Sequence, residues 1–165
     1  SHYRHLVFVK NAYLLIVDYI GVDRRRRVTW NLPHAGESEV AARSARIVRP
    51  NAALEVRCLL DDRPVFPARF TFPRLSRWNA GDAGGGDWEV EDTLEVLSFN
   101  TCMEPGDVQL WPFLLFPIHA GEAPPEVLEY SVDANGFRAV VRRGERSETL
   151  TVGKHNFMFR YTVTP

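Results

Sequence analysis

Apolar residues recur at every second position through most of this chain, and no window of eleven or more residues holds a 3.6-residue helical period. Alternation of that length commits the chain to strands. Strands with one apolar face need another layer to cover it, and with no helix on offer that layer is a second sheet. In RVTWNL, Val28, Trp30 and Leu32 share one face while Arg27, Thr29 and Asn31 share the other. ALEVRCLL sets Leu54, Val56 and Cys58 inward against Glu55 and Arg57, and ARFTF sets Phe70 and Phe72 inward. FMFRYTV sets Phe157, Phe159, Tyr161 and Val163 on one face and Met158, Arg160 and Thr162 on the other.

LLIVDYI and WPFLLFPI are apolar on both faces, which marks central strands covered by further structure. Turn signals at Asn11-Ala12, Gly21, Pro33 to Gly36, Pro50-Asn51, Asp61-Asp62, Glu104 to Asp107, Asn135-Gly136 and Arg143-Gly144 cut the chain into short strands. The last two predict a meander of VLEYSV, FRAVVRR and ETLTV. Glu37 to Ile47 is readable either as a short helix or as a strand. The expectation is an all-β fold: an antiparallel two-sheet β-sandwich of about a dozen strands, forming one domain over residues 1–165. A chain of 165 residues buries roughly 70% of its unfolded surface, enough for its own core. Because it opens directly on a strand, HYRHLVFV, it is expected to be a piece of a longer protein, with Ser1 and His2 a possible tag scar.

Composition narrows the partners. Twenty basic residues against twenty-one acidic leave a net charge of −1, so no overall field favours nucleic acid. The longest apolar runs, Leu14 to Val17 and Phe113 to Ile118, fall far short of the ~20 residues of a spanning helix, and no membrane partner is expected. Cys58 and Cys102 form an even pair without a CxxC spacing; two buried free thiols are the simpler reading, and a disulfide is the alternative.

No spacing carries a catalytic or metal motif: there is no HxH or HxxxH, no GxSxG and no phosphate loop. His5, His34, His119 and His155 are scattered. Neither a catalytic residue, a metal nor a cofactor is expected. Two features suggest substrate contact. Trp78 and Trp88 flank a Gly- and Ala-rich loop with two aspartates, as aromatic platforms on a flap would; equally, both indoles would anchor the loop ends. Arg24, Arg25, Arg26 and Arg27 form a basic run that suits carboxylates and sulfates, or serves as a solvated hairpin end. Asp18, inside an apolar strand, needs a partner, for which His5, Arg4 or a backbone N–H are the candidates.

The stretches YRHLVFVKNAYLLIVDYI, RRRRVTWNLP and LEVLSFNTCMEPGDVQLWPFLLFPI resemble the β-sandwich part of heparinase II/III-like polysaccharide lyases. The resemblance implies a C-terminal sandwich preceded in the same chain by an α/α toroid, in an enzyme that cleaves acidic, uronate-containing polysaccharide by β-elimination. It also implies a periplasmic or secreted location. The family's catalytic and metal-binding stretches have no counterpart at matching positions. His155-Asn156 stands too near the C-terminus to correspond, so no catalytic residue is carried over. Two other readings stand beside it: a stand-alone carbohydrate-binding module, and a structural interaction domain without catalysis. A bare apolar surface would favour the accessory domain, and coplanar exposed rings the binding module.

Overall fold

The computed structural model describes residues 1–9, 12–60, 63–80, 86–119, 121–133, 135–155 and 158–165, with the side chains of 72–94 and 154–161 outside the description. The strands are β1 (His2–Val9), β2 (Tyr13–Gly21), β3 (Arg26–His34), β4 (Glu37–Val40), β5 (Ser44–Arg49), β6 (Ala52–Cys58) and β7 (Phe66–Ala80). They continue as β8 (Gly86–Met103), β9 (Val108–His119), β10 (Glu126–Val132), β11 (Gly136–Arg143), β12 (Arg146–His155) and β13 (Met158–Thr164). Glu37 to Ile47 resolves into strands rather than a helix, and the meander of β10, β11 and β12 falls where the turn residues place it.

The strands form three antiparallel sheets, ordered β1-β2-β9-β6-β5-β4, β3-β8-β7 and β10-β11-β12-β13. The expected all-β antiparallel sandwich of about a dozen strands is borne out, with three sheets in place of two. The six-stranded sheet lies in the middle, because its central strands are apolar on both faces and each face needs its own cover. On one side Ile16, Ile20, Val56, Trp111 and Phe113 pack against Trp30, Leu97, Phe99 and Met103 of the three-stranded sheet. On the other, Leu15, Val17, Leu114 and Phe116 pack against Phe137, Ala139, Val141 and Leu150 of the four-stranded sheet. The period of two thus sends alternate residues of β2 and β9 into two separate cores, each fully buried large side chain contributing about 1.5–3 kcal/mol.

Several local expectations hold and several do not. Trp30 is buried with Val28 and Leu32 partly so, while Arg27, Thr29 and Asn31 are exposed. Phe70 is exposed rather than inward, because it lies on the outer face of the three-stranded sheet; Phe72 falls outside the described side chains. Glu55 is buried rather than solvated: it faces the four-stranded sheet beside Phe116 and pairs with Arg57 at 2.8 Å. Of FMFRYTV only Met158 to Val163 lie in a described strand, and Val163 packs against the core as expected. The two thiols are free, Cys58 buried and Cys102 exposed, which corrects the expectation of two buried thiols. Burial pushes the Cys58 thiol up, although the Trp111 indole N–H donates to its sulfur at 3.0 Å. The turn at Gly144 needs the left-handed region, with φ of 60°, which glycine adopts without a Cβ penalty.

Candidate functional site

Strands β7 and β8 are long, at 15 and 18 residues. Strand β3 covers β8 only from Glu95 to Met103. Beyond it β7 and β8 pair with each other as far as Ala80 and Gly86, a two-stranded arm roughly 30 Å long at about 3.3 Å per residue. Register shifts between Arg74 and Arg77 mark bulges, which increase local twist. The ladder sets Trp78 directly opposite Trp88. Their side chains, and the connecting residues 81–85, lie outside the described residues.

At the root of the arm the three-stranded sheet presents its outer face. Its rungs are Arg27 with Cys102; Thr29, Asn100 and Phe66; Asn31, Ser98 and Ala68; and Pro33, Val96 and Phe70. The polar side chains bond to one another. Thr29 Oγ1 donates to Asn100 Oδ1 at 2.8 Å, Asn100 Nδ2 donates to the Phe66 carbonyl at 3.1 Å, and Ser98 Oγ donates to Asn31 Oδ1. Ser98 and Val96 are buried along the middle, whereas Phe66 and Phe70 are 58% and 39% exposed on the β7 side. Of this face only Arg27 stood out in the sequence as a candidate contact, and Ser98, Asn100 and Phe66 did not. The signal was present in the alternation of VLSFNT, which places Ser98 and Asn100 on the face opposite Leu97 and Phe99.

The arginine run opens β3. Arg25 reaches Glu104 at 3.2 Å and Arg26 lies 3.7 Å from Asp23, while Arg24 and Arg27 are exposed. Alternation separates them, and Arg27 is the one that lands on the outer face. The loop they leave is pinned to the β8–β9 turn: the Val22 N–H donates to the Asp107 carbonyl at 3.1 Å and the Gly106 N–H to the Val22 carbonyl at 2.9 Å. Asp107 Oδ2 also accepts from Arg63 at 2.6 Å and from the Glu104 N–H at 2.9 Å.

The Arg63 hydrogen bond, and after it the Glu104 amide, hold the Asp107 carboxyl below its ordinary value. A depressed folded value stabilises the fold above the unfolded value, near pH 4, and that contribution disappears as the pH falls through the lower folded one. Asp107→Asn is therefore expected to lower the urea midpoint at neutral pH. The gap between variant and wild type should narrow as the pH falls below about 4 and the carboxylate takes up its proton; a gap of equal size at neutral and acid pH would contradict the linkage.

Asp18 is buried, and Arg4 rather than His5 answers its need for a partner. Arg4 Nε and Nη2 donate to the two carboxylate oxygens at 2.7 and 2.8 Å, and His2 Nε2 lies 3.2 Å from Oδ1. His5 pairs across the ladder with Val17 instead. His34 is held elsewhere: its Nδ1 bonds the Gly36 carbonyl at 3.1 Å, and its Nε2 lies 3.9 Å from Glu95, which accepts from Ser38 Oγ at 3.1 Å. Among the described residues, no group of three or more His, Cys, Asp or Glu side chains stands close enough to hold a metal ion.

A cleft of about 730 Å³ opens at one end of the sandwich, lined by Pro117, Ile118, Arg143, Arg146, Glu148 and Val163 among others. Beneath it the buried Tyr13 hydroxyl faces the Glu148 carboxylate. Burial raises the Tyr13 phenol, the Glu148 charge adds to the rise, and Arg143 opposes it. The tyrosine stays protonated at neutral pH, so this group is no ready base.

With this geometry in place, comparison with solved structures is informative. The chain matches part of a heparinase III structure with a TM-score of 0.62 at 12% identity, over 93% of this chain and 23% of the other. It matches heparan sulfate lyase HepC from Pedobacter heparinus with a TM-score of 0.63 at 12% identity, over 94% and 24%. A further heparinase III gene product gives 0.56 at 13%, over 93% and 24%. The chain therefore has the fold of a β-sandwich unit found in heparinase III structures, and it spans about a quarter of their length. The resemblance read from the sequence is borne out at the level of fold. No protein-family model matches the sequence, and no curated protein matches it.

Proposed function

We propose that residues 1–165 form an accessory β-sandwich domain of a heparinase II/III-like lyase, working beside an α/α toroid that carries the chemistry. The observation that carries this reading is the fold likeness across almost the whole of the chain to a quarter of each heparinase III structure. The β1 edge supports it. Tyr3, Leu6 and Phe8 are 61%, 63% and 73% exposed on an eight-residue strand paired on one side only, a surface suited to a neighbouring domain.

In β-elimination a base removes the proton at C5 of the uronate, an acid protonates the leaving oxygen, and polar groups neutralise the carboxylate. Those roles belong to the toroid and its cleft, and none is assigned to a residue of this chain. Trp78, Trp88 and Arg24 to Arg27 are its proposed contributions to holding the acidic polysaccharide. Export to the periplasm or outside the cell, where such polymers are met, belongs to the same proposal.

The test is turnover of heparan sulfate, alginate and hyaluronan, followed by the ultraviolet absorbance of the unsaturated uronate product. The full-length protein is expected to cleave at least one polymer, and the 165-residue chain none. Turnover by the chain alone would overturn the division of labour, and an inactive full-length protein would overturn the lyase reading.

A further inference from the structure

We infer that the outer face of the three-stranded sheet is a binding strip for an acidic oligosaccharide. Three observations converge on one surface. The first is apolar: Phe66 and Phe70 stand four residues apart on β7, roughly 13 Å along the strand, with buried Ser98 and small Ala68 between and beside them. This sets partly exposed aromatic side chains along the margin of the face, a surface that suits the C–H face of a pyranose rather than a compact small molecule.

The second is polar. Thr29, Asn31, Ser98 and Asn100 hold one another by side-chain hydrogen bonds, so their positions are set before a ligand arrives. Asn31 Oδ1 is engaged by Ser98, and among the described residues the Asn31 amide N–H groups meet no acceptor. Hydroxyl groups of a sugar would find donors there. The third is charge. Among the described side chains the face carries one cation, Arg27, and no carboxylate, while Glu104 beyond its end is already engaged by Arg25.

A single arginine on a face of this length suits a polymer whose acid groups are spaced by sugar rings. A single-stranded nucleic acid also stacks on aromatic rings, but it brings a phosphate with every nucleotide and calls for a continuous basic groove. The choice of uronate as the acid rests on the lyase reading above; the sheet face does not.

The experiment is affinity electrophoresis of the 165-residue chain in gels holding heparan sulfate or neutral dextran, with a single-stranded oligonucleotide as competitor. Retardation by heparan sulfate is expected, and Phe66→Ala and Phe70→Ala should each weaken it about threefold to tenfold. Arg27→Gln should weaken retardation at low salt and match wild type at high salt. Phe66→Leu, which keeps apolar bulk without a ring, guards against a folding defect and should weaken retention like Phe66→Ala. Arg146→Gln, on the four-stranded sheet, should change nothing.

Absent retardation, unchanged retardation in the Phe66→Ala/Phe70→Ala double variant, preference for dextran, or release by the oligonucleotide would each overturn the inference. The two readings fail separately. Retardation that depends on Phe66 with an inactive full-length protein removes only the lyase, whereas an active full-length protein with indifferent Phe66 and Phe70 variants removes only the strip.

Discussion

Phe113→Ala is expected to cost about 3–5 kcal/mol of folding stability, read as a lower urea midpoint at an unchanged slope. Phe113 is fully buried on the central strand β9, where its ring stacks on Trp30 with centroids 4.1 Å apart and planes 14° apart. Phe99 and Trp111 close the cluster at 5.7 and 5.3 Å. Truncation removes the one ring that touches all three and leaves a void between two sheets that cannot collapse without moving a ladder. A loss of that size is a large fraction of the 5–15 kcal/mol typical of a folded domain. Trp30→Phe is the internal control, since it keeps a ring at the stack and deletes an indole N–H that has no hydrogen-bond partner among the described residues. Its cost should be far smaller. A loss below about 1 kcal/mol for Phe113→Ala would mean that the three-stranded sheet does not depend on this contact.

The same cluster shows how much of the fold was legible. Alternation in RVTWNL put Trp30 inward, and the two-faced apolar runs LLIVDYI and WPFLLFPI marked β2 and β9 as central. Those runs called for a further layer, and the reading stopped at two sheets, because alternation does not say which strands share a sheet. That depends on pairings such as Trp30 with Phe99 and Arg57 with Leu114, between residues 69 and 57 apart in the chain. Long-range ladders are set by tertiary packing, which local periodicity does not encode. Phe70 and Glu55 were misplaced for the same reason. Each obeys period two, and which face is wet depends on a sheet contributed from elsewhere.

The candidate surface was legible only in part. Arg27 was singled out within a run of four, and the ladder separates it from Arg25 by giving it the outer face while Arg25 turns to Glu104. Phe66 carried no signal, because an aromatic beside a proline in an alternating stretch reads as core. Asp18 carried a clear one. A carboxylate inside an apolar strand demands a cation, and the register supplied Arg4 where sequence spacing alone left His5 equally eligible.

That pair yields the second large effect. Asp18 is 2% exposed, and Arg4 meets it with two hydrogen bonds from the edge strand. The two partners are not equivalent. Arg4 is 44% exposed and finds water when its partner is lost, whereas Asp18 is left as an uncompensated buried charge with His2, among the described residues, beside it. Removing one partner of a fully buried pair costs about 3–5 kcal/mol, and the partial exposure of Arg4 lowers the expectation for Arg4→Met to about 2–3 kcal/mol. Arg4→Met/Asp18→Leu is expected to recover much of that loss, because two apolar groups then meet where a charge was stranded, next to Ile16 and Ile20 on the same face of β2. The quantity to measure is the coupling from a double-mutant cycle in urea, with proteolysis near the N-terminus as a second readout for release of β1. A double variant as unstable as Arg4→Met alone would show that the loss does not come from a stranded Asp18 charge, and an Arg4→Met variant as stable as wild type would show that the ion pair adds little.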